Sequence, residues 1–252
     1  MADEILPLAK EALGDQVEAE LNRSQLETGT RVCGTLAEVR AELERPRRLL
    51  REAAARAGCS VVSSGTHPTA AAGDSMVNPA KERYRRLERE FQAVAREQLV
   101  NGCHVHVGIA DGDEAIEVLG RVRPWLATVV ALAANSPFWE GADSGYASYR
   151  TEVWARWPLT GVPEPSASRA DYDELVAALQ AVDALPDATF LYWDVRPSAR
   201  YQTLEFRAAD ACLTVDDAVM VAGLWRALAR TAMEEAWAGR PRAALRRELV
   251  DA

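Results

Sequence analysis

The chain is poor in cysteine, in histidine and in basic charge, and each shortage closes off a class of protein. Four cysteines, Cys33, Cys59, Cys103 and Cys212, are spread over 252 residues with no CxxC pair. So sparse a set reads as reduced, mostly packed thiols of a cytoplasmic protein rather than a disulfide framework. Lysine and arginine together number 29 against 38 acidic residues, a net charge of −9. No cationic excess is left to neutralise a phosphate backbone, so nucleic acid is not an expected partner. A nucleotide stays open, because a few arginines and a metal ion suffice for one triphosphate. No apolar run approaches the roughly 18 residues of a membrane span, and no membrane partner is expected. The opening MADEILPLAK carries acids where a secretory leader needs bases. No internal repeat and no low-complexity tract is found.

What is present is a globular composition, 48% hydrophobic and 27% charged, with enough length to bury a sizeable core. Residues 3–13 read as a helix ended by Gly14. Val17, Ala19 and Leu21 alternate with polar residues as in a half-buried strand. Residues 35–57 read as a helix that Pro46 kinks or divides, and Cys59 to Ser64 as a short β-branched strand. Tyr84, Leu87, Phe91 and Val94 define an amphipathic helix over about 80–100. Strands are expected at Gly102–Ile109, Phe190–Val195 and Gln202–Phe206, and helices at 113–134, 170–183 and about 215–237. The stretch 135–167 has no period, and a segment of that kind inside a compact domain is usually functional. Alternating strands and helices with uneven connections fit an α+β domain with a curved, largely antiparallel sheet.

Four constellations carry chemistry. In Asn101-Gly-Cys-His-Val-His-Val-Gly108, His104 and His106 are two apart and share a face. Two such imidazoles suit a metal or a phosphate, and equally a pair of hydrogen-bonded core histidines. Cys103 alternates to the other face and reads as packing. Glu20 and Glu27 lie in a strand-like segment. Glu205 sits mid-strand between Leu204 and Phe206, where a carboxylate is costly unless paired. Arg196, Arg200, Arg207 and Asp210 surround it in sequence, as a structural ion pair or as a metal and phosphate site requires. Asn135 to Arg150 combines small residues with four aromatics; it fits a ligand loop with Arg150 as a carboxylate clamp, or a surface loop with an aromatic plug. Gly65-Thr-His-Pro68 offers Thr66 and His67 at a strand end.

Taken in order, Gly-Thr-His-Pro, CHVHVG, NSPFWEGADSGYASYR and WDVRPSARYQTLEFR resemble the carboxylate–amine ligases related to the second type of glutamate–cysteine ligase, over about Glu20 to Asp210. The resemblance implies a glutamine-synthetase-like fold, a curved and mainly antiparallel sheet backed by helices, with 1–252 one catalytic-type domain. It implies ATP and Mg²⁺, or Mn²⁺, as cofactors. ATP would phosphorylate a carboxylate, above all the γ-carboxylate of glutamate, and an amine such as cysteine would displace phosphate from the acyl phosphate. It further implies Glu20, Glu27, His106 and Glu205 as metal ligands, and His104, His106, Arg196 and Arg207 as nucleotide contacts. Arg150, Arg200 and Arg207 are the implied catalytic cations; Thr66, His67, Tyr149 and Arg150 are the implied amino-acid contacts. A homodimer is expected.

The resemblance also breaks. Family members open on a Gly-Val-Glu-Glu-Glu-Phe-like strand, nothing like it precedes Glu20, and the far end is short. The expectation is a truncated chain without the first acidic strand. That departure favours a second reading, a catalytically impaired nucleotide-binding or regulatory homologue that pairs with a full-length ligase. A hydrolase holding Zn²⁺ on His104, His106 and a carboxylate would leave the two long arginine-rich motifs without a role.

Overall fold

A computed structural model describes residues 2–71 and 76–250. The chain forms two compact units: Met1–Asn101, Asn135–Val153 and Ala211–Val219 in the first, Gly102–Ala134, Trp154–Asp210 and Met220–Ala252 in the second.

In the first unit the helix Ala2–Leu13 stops at Gly14, whose φ of +55° suits a residue without a Cβ. Its Ile5, Ala9 and Leu13 stripe packs with Val17, Ala53 and Ala54, and Leu26, Leu49 and Leu50 close the cluster. The helix Leu36–Arg56 starts in a capping box made by Thr35 and Glu38. Pro46 lies inside this helix, which runs undivided, so of the two expected effects the division does not occur. The strands Val17–Ala19 and Leu26–Thr28 pair antiparallel and set Glu18 directly opposite Glu27.

Three further expectations change in this unit. The helix over 80–100 is two pieces, Glu82–Phe91 and Ala93–Arg96, broken at Gln92 with φ +49° and ψ −115°. Cys59 to Ser64 forms no strand. Side chains replace its ladder: Ser63 Oγ donates to Cys212 O (2.8 Å), Ser64 Oγ to Asn135 O (3.1 Å) and Asn135 Nδ2 to Ser63 O (3.1 Å). The aperiodic stretch contains a hairpin, Phe138–Trp139 with Ala142–Asp143, turning through Glu140 and Gly141 at φ +51° and +79°. The helix Tyr149–Trp154 follows it.

The second unit is built on a three-stranded antiparallel sheet with Thr203–Phe206 in the centre, flanked by Val105–Gly108 and Val195–Pro197. One face is apolar: Val195, Leu204 and Phe206 are fully buried. Phe206 stacks on Trp225 of the helix Val215–Trp237, with centroids 4.5 Å apart and planes 15° from parallel. The helix expected over 113–134 is Gly112–Val122, a 3₁₀ turn at Arg123–Trp125 and Leu126–Leu132. Pro124, with no N–H to give, sits at that junction. Arg169–Ala181 is a helix capped by Ser168, and Thr160–Gly161 pairs parallel with Tyr192–Trp193.

The class is thus α+β, with mixed helices and small, mainly antiparallel sheets among the described residues. No disulfide joins the four cysteines. Among the described residues no helix is long and apolar enough to cross a membrane.

Candidate functional site

Strand register composes the centre of the second unit. His106 lies opposite Glu205, and Glu205 opposite Arg196, so the three form one row across three strands. Alternation puts Thr203, Glu205 and Arg207 on that same face, away from Leu204 and Phe206. His104 joins them from two residues before His106. The apolar reverse face fixes the sheet, and the polar face is held by it.

Glu205 is buried, and both its oxygens are engaged. Oε2 accepts from Arg196 Nε at 2.8 Å, and Oε1 accepts a short hydrogen bond from Arg207 Nη1. Arg196 Nη1 is held in turn by the carbonyls of Thr189 (3.0 Å), Ala188 (3.3 Å) and Leu191. The Arg207 amide donates to Asp194 O at 2.7 Å, and its guanidinium lies 6.0 Å from the centre of the Trp154 ring. Burial alone would raise the Glu205 carboxyl; Arg207 and then Arg196, with His104 assisting, overrule it and hold it at about 2.

The two histidines are not core residues. Their side chains are 32% and 36% exposed, with His104 Nδ1 at 3.8 Å and His106 Nε2 at 3.9 Å from Glu205 Oε1. His106 Nδ1 is 2.8 Å from Thr203 Oγ1, and Tyr201 packs edge-on to its ring at 5.7 Å. Partial burial lowers the His106 pKa, which Glu205 opposes and the arginines reinforce, so the ring is neutral near pH 7. On this face two guanidiniums, Arg196 and Arg207, pair with the one carboxylate of Glu205. Arg200 stands on the exposed turn between the two strands, outside the pair of guanidiniums that grips Glu205. Thr203 and Tyr201 were not singled out from sequence; the period-2 rule applied backward from Glu205 points to Thr203.

The first unit holds the other candidates. Glu20 and Glu27 come together, and the Glu27 carboxyl is pushed up to about 7. The causes are loss of surrounding water, then Glu20 through charge and a shared hydrogen bond, then Glu18, with Lys81 opposing. Tyr84, whose hydroxyl is raised by burial and by these carboxylates, donates to Glu20 Oε1 at 3.4 Å. Lys81 Nζ binds Glu18 Oε2 at 2.6 Å. Thr66 is buried and donates to Phe138 O at 2.7 Å. His67 Nδ1 accepts from the Ala70 amide at 2.9 Å, which leaves its ring proton on Nε2. Tyr149 lies between Trp139 and Tyr146, at 5.6 and 5.7 Å, and Arg150 is buried with its amide on Ser136 Oγ.

The implied metal set therefore draws Glu20 and Glu27 from one unit and His106 and Glu205 from the other. Among the described residues no group of three or more His, Cys, Asp or Glu side chains is arranged to hold a metal ion. Glu205, with each oxygen on a guanidinium, fits a hard cation poorly. Glu20 and Glu27 fit it well, since two carboxylates that share a proton offer the oxygen donors Mg²⁺ takes. The raised pKa has a consequence. A carboxyl whose folded pKa exceeds its ordinary 4.5 costs stability as pH rises from about 4.5 through about 7. Thermal midpoints without divalent cations should fall over that window, and Glu27→Gln should flatten the fall. An unchanged slope in the variant would show that the pair is not its source.

The second unit thus carries, on an α+β scaffold, a sheet face of paired arginine, glutamate and histidine side chains. The chain belongs to the family described as Glutamate-cysteine ligase family 2 (GCS2), which matches residues 2–251. It is 47% identical over 233 residues to a Frankia alni protein named "Putative glutamate--cysteine ligase 2-2", covering 92% of this chain and 60% of that protein. It is 42% identical over 226 residues to the "Putative glutamate--cysteine ligase 2" of Rhodopirellula baltica, covering 90% and 60%. A Mycolicibacterium smegmatis protein, "Putative glutamate--cysteine ligase 2-2", is 44% identical over 243 residues, covering 96% and 60%. The chain spans about three fifths of the length of these relatives.

Proposed function

We propose that this chain carries the nucleotide and amino-acid centres of an ATP-dependent carboxylate–amine ligase of the glutamate–cysteine ligase type. The observation that supports this most is the His106–Glu205–Arg196 row with Arg207 beside it. Glu205 aligns the two guanidiniums and answers only half their charge, which leaves the face attractive to phosphate oxygens. His104 and His106 border it as partly exposed rings. Glu20 and Glu27 would hold Mg²⁺, or Mn²⁺, in place of the proton they share. Thr66, His67, Tyr149 and Arg150 would take the amino-acid substrate, Arg150 through its carboxylate. ATP, when bound, supplies the phosphoryl group that activates the glutamate γ-carboxylate as an acyl phosphate for attack by cysteine or another amine. Phosphoryl transfer of this kind asks for positioning and charge neutralisation, which these residues offer without a covalent nucleophile.

Calorimetric titration with Mg-ATP tests the reading, and binding in the micromolar to millimolar range is expected. No heat at millimolar ligand would overturn it for this chain. Phosphate release with glutamate plus cysteine, compared with other amines, then separates a ligase from a homologue that only binds nucleotide.

A further inference from the structure

One short stretch of chain, residues 191–194, fixes both guanidiniums of the polar face. It is held in turn by residues 159–161: the Tyr192 amide donates to Leu159 O at 3.1 Å and the Asp194 amide to Gly161 O at 2.9 Å. From this stretch Leu191 O accepts from Arg196 Nη1, and Asp194 O accepts from the Arg207 amide. Between them the buried Tyr192 ring seats two indoles edge-on, Trp154 at 5.3 Å and 67° and Trp157 at 5.5 Å and 69°. Phe190 adds a tilted contact at 6.3 Å. Trp154 links this packing to Arg207, whose guanidinium carbon lies over its ring, 6.0 Å from the centre. That is within the reach of a cation–π attraction. Glu205 Oε1, bonded to Nη1, fixes one corner of the guanidinium plane, and the aromatic face limits how far the plane tilts about that corner.

We propose that Trp154 is a positioning residue: its ring, seated on Tyr192, holds the Arg207 guanidinium in the orientation that meets an anionic oxygen of the nucleotide. This rests on the ligase reading above and deepens it. The two neighbours of Arg207 act differently. Glu205 supplies charge and sets where Nη1 points, while the indole supplies a π face that attracts a cation without taking one of its N–H groups. A second carboxylate in that place would hold Arg207 more strongly, but it would occupy donors and cancel charge. An aromatic ring leaves both for a ligand. Edge-on packing against buried Tyr192 keeps the half-buried indole itself in place.

The test uses the whole chain, labelled with ¹⁵N-arginine. The Arg207 Nε–H signal is assigned by its loss in Arg207→Lys. In wild type the Trp154 ring should shield it, and Trp154→Phe should keep much of that shielding. Trp154→Leu, which keeps apolar bulk without a π face, should return the signal to the ordinary arginine range. Trp154→Met repeats the comparison if the leucine variant does not fold. Mg-ATP, titrated calorimetrically, should bind about three- to tenfold more weakly to the leucine variant than to wild type, with the phenylalanine variant close to wild type. An Arg207 signal that does not move in Trp154→Leu overturns the proposal. So does a signal that moves while Mg-ATP affinity stays, and so does a phenylalanine variant as weak as the leucine one. The Arg207 signal is read without any ligand, so failure of the ligase reading shows separately, as absence of Mg-ATP binding in wild type.

Discussion

Glu205→Ala is expected to lose about 3 to 5 kcal/mol of stability, because it removes the carboxylate that both buried guanidiniums bind. Arg196 and Arg207 are nearly enclosed, with side chains 9% exposed each, against 7% for Glu205. The thermal midpoint should fall on the order of 10 °C. Glu205→Gln should lose nearly as much, since it restores shape without charge. The sign of the pH dependence follows from a carboxyl at about 2 in the folded chain and 4.5 ordinarily. A depressed pKa stabilises above 4.5, and that contribution, about 3 kcal/mol for a shift of this size, disappears as pH falls from about 4.5 to about 2. The gap between wild type and variant should therefore be full at pH 7 and narrow toward pH 2. At a temperature where the variant stays folded, Mg-ATP affinity should be lost. A variant that is destabilised but binds as before would reduce Glu205 to a structural ion pair.

The site was legible in fragments, and register was the part that could not be read. Alternation alone puts His104 with His106, and Glu205 with Arg207, on a common face. Nothing in the sequence says that His106 stands opposite Glu205, because that pairing joins strands about 100 residues apart in the chain. That Arg196 rather than Arg200 completes the row follows from the register of the local hairpin, which the intervening turn does not announce. Exposure was equally out of reach, and it is exposure that decides between core histidines and a site. The helices were clearer: Thr35 with Glu38 marks a start, and Gly14 a stop, by local chemistry. Gln92 defeated the same logic, since Tyr84 and Leu87 continue their stripe toward Val94 while the backbone turns through a conformation glycine normally takes. Cys59 to Ser64 has strand composition but no partner strand among the described residues, and serine and asparagine side chains take over its hydrogen bonds. The Glu140–Gly141 turn hides a hairpin because glutamate stands where asparagine or aspartate would have signalled one.

Trp225→Ala should be as damaging as any change at the polar face, and it shows how far the two faces of the sheet depend on each other. Trp225 and Phe206 are both fully buried and stacked, so truncation leaves a cavity behind the central strand and costs about 3 to 5 kcal/mol. Trp225→Phe should cost much less. The indole Nε1 finds no acceptor among the described residues, so phenylalanine removes an unanswered N–H along with part of the volume. The position also has a functional consequence. Phe206 lies between Glu205 and Arg207, whose geometry depends on the strand being pressed flat against the helix. Trp225→Ala, examined below its midpoint, should weaken phosphate binding at a face it does not touch, and Trp225→Phe should leave it near wild type. If the alanine variant kept full affinity, the carboxylate and its two arginines would hold one another without help from the core. Their mutual charge pairing alone would then be the source of the site's order.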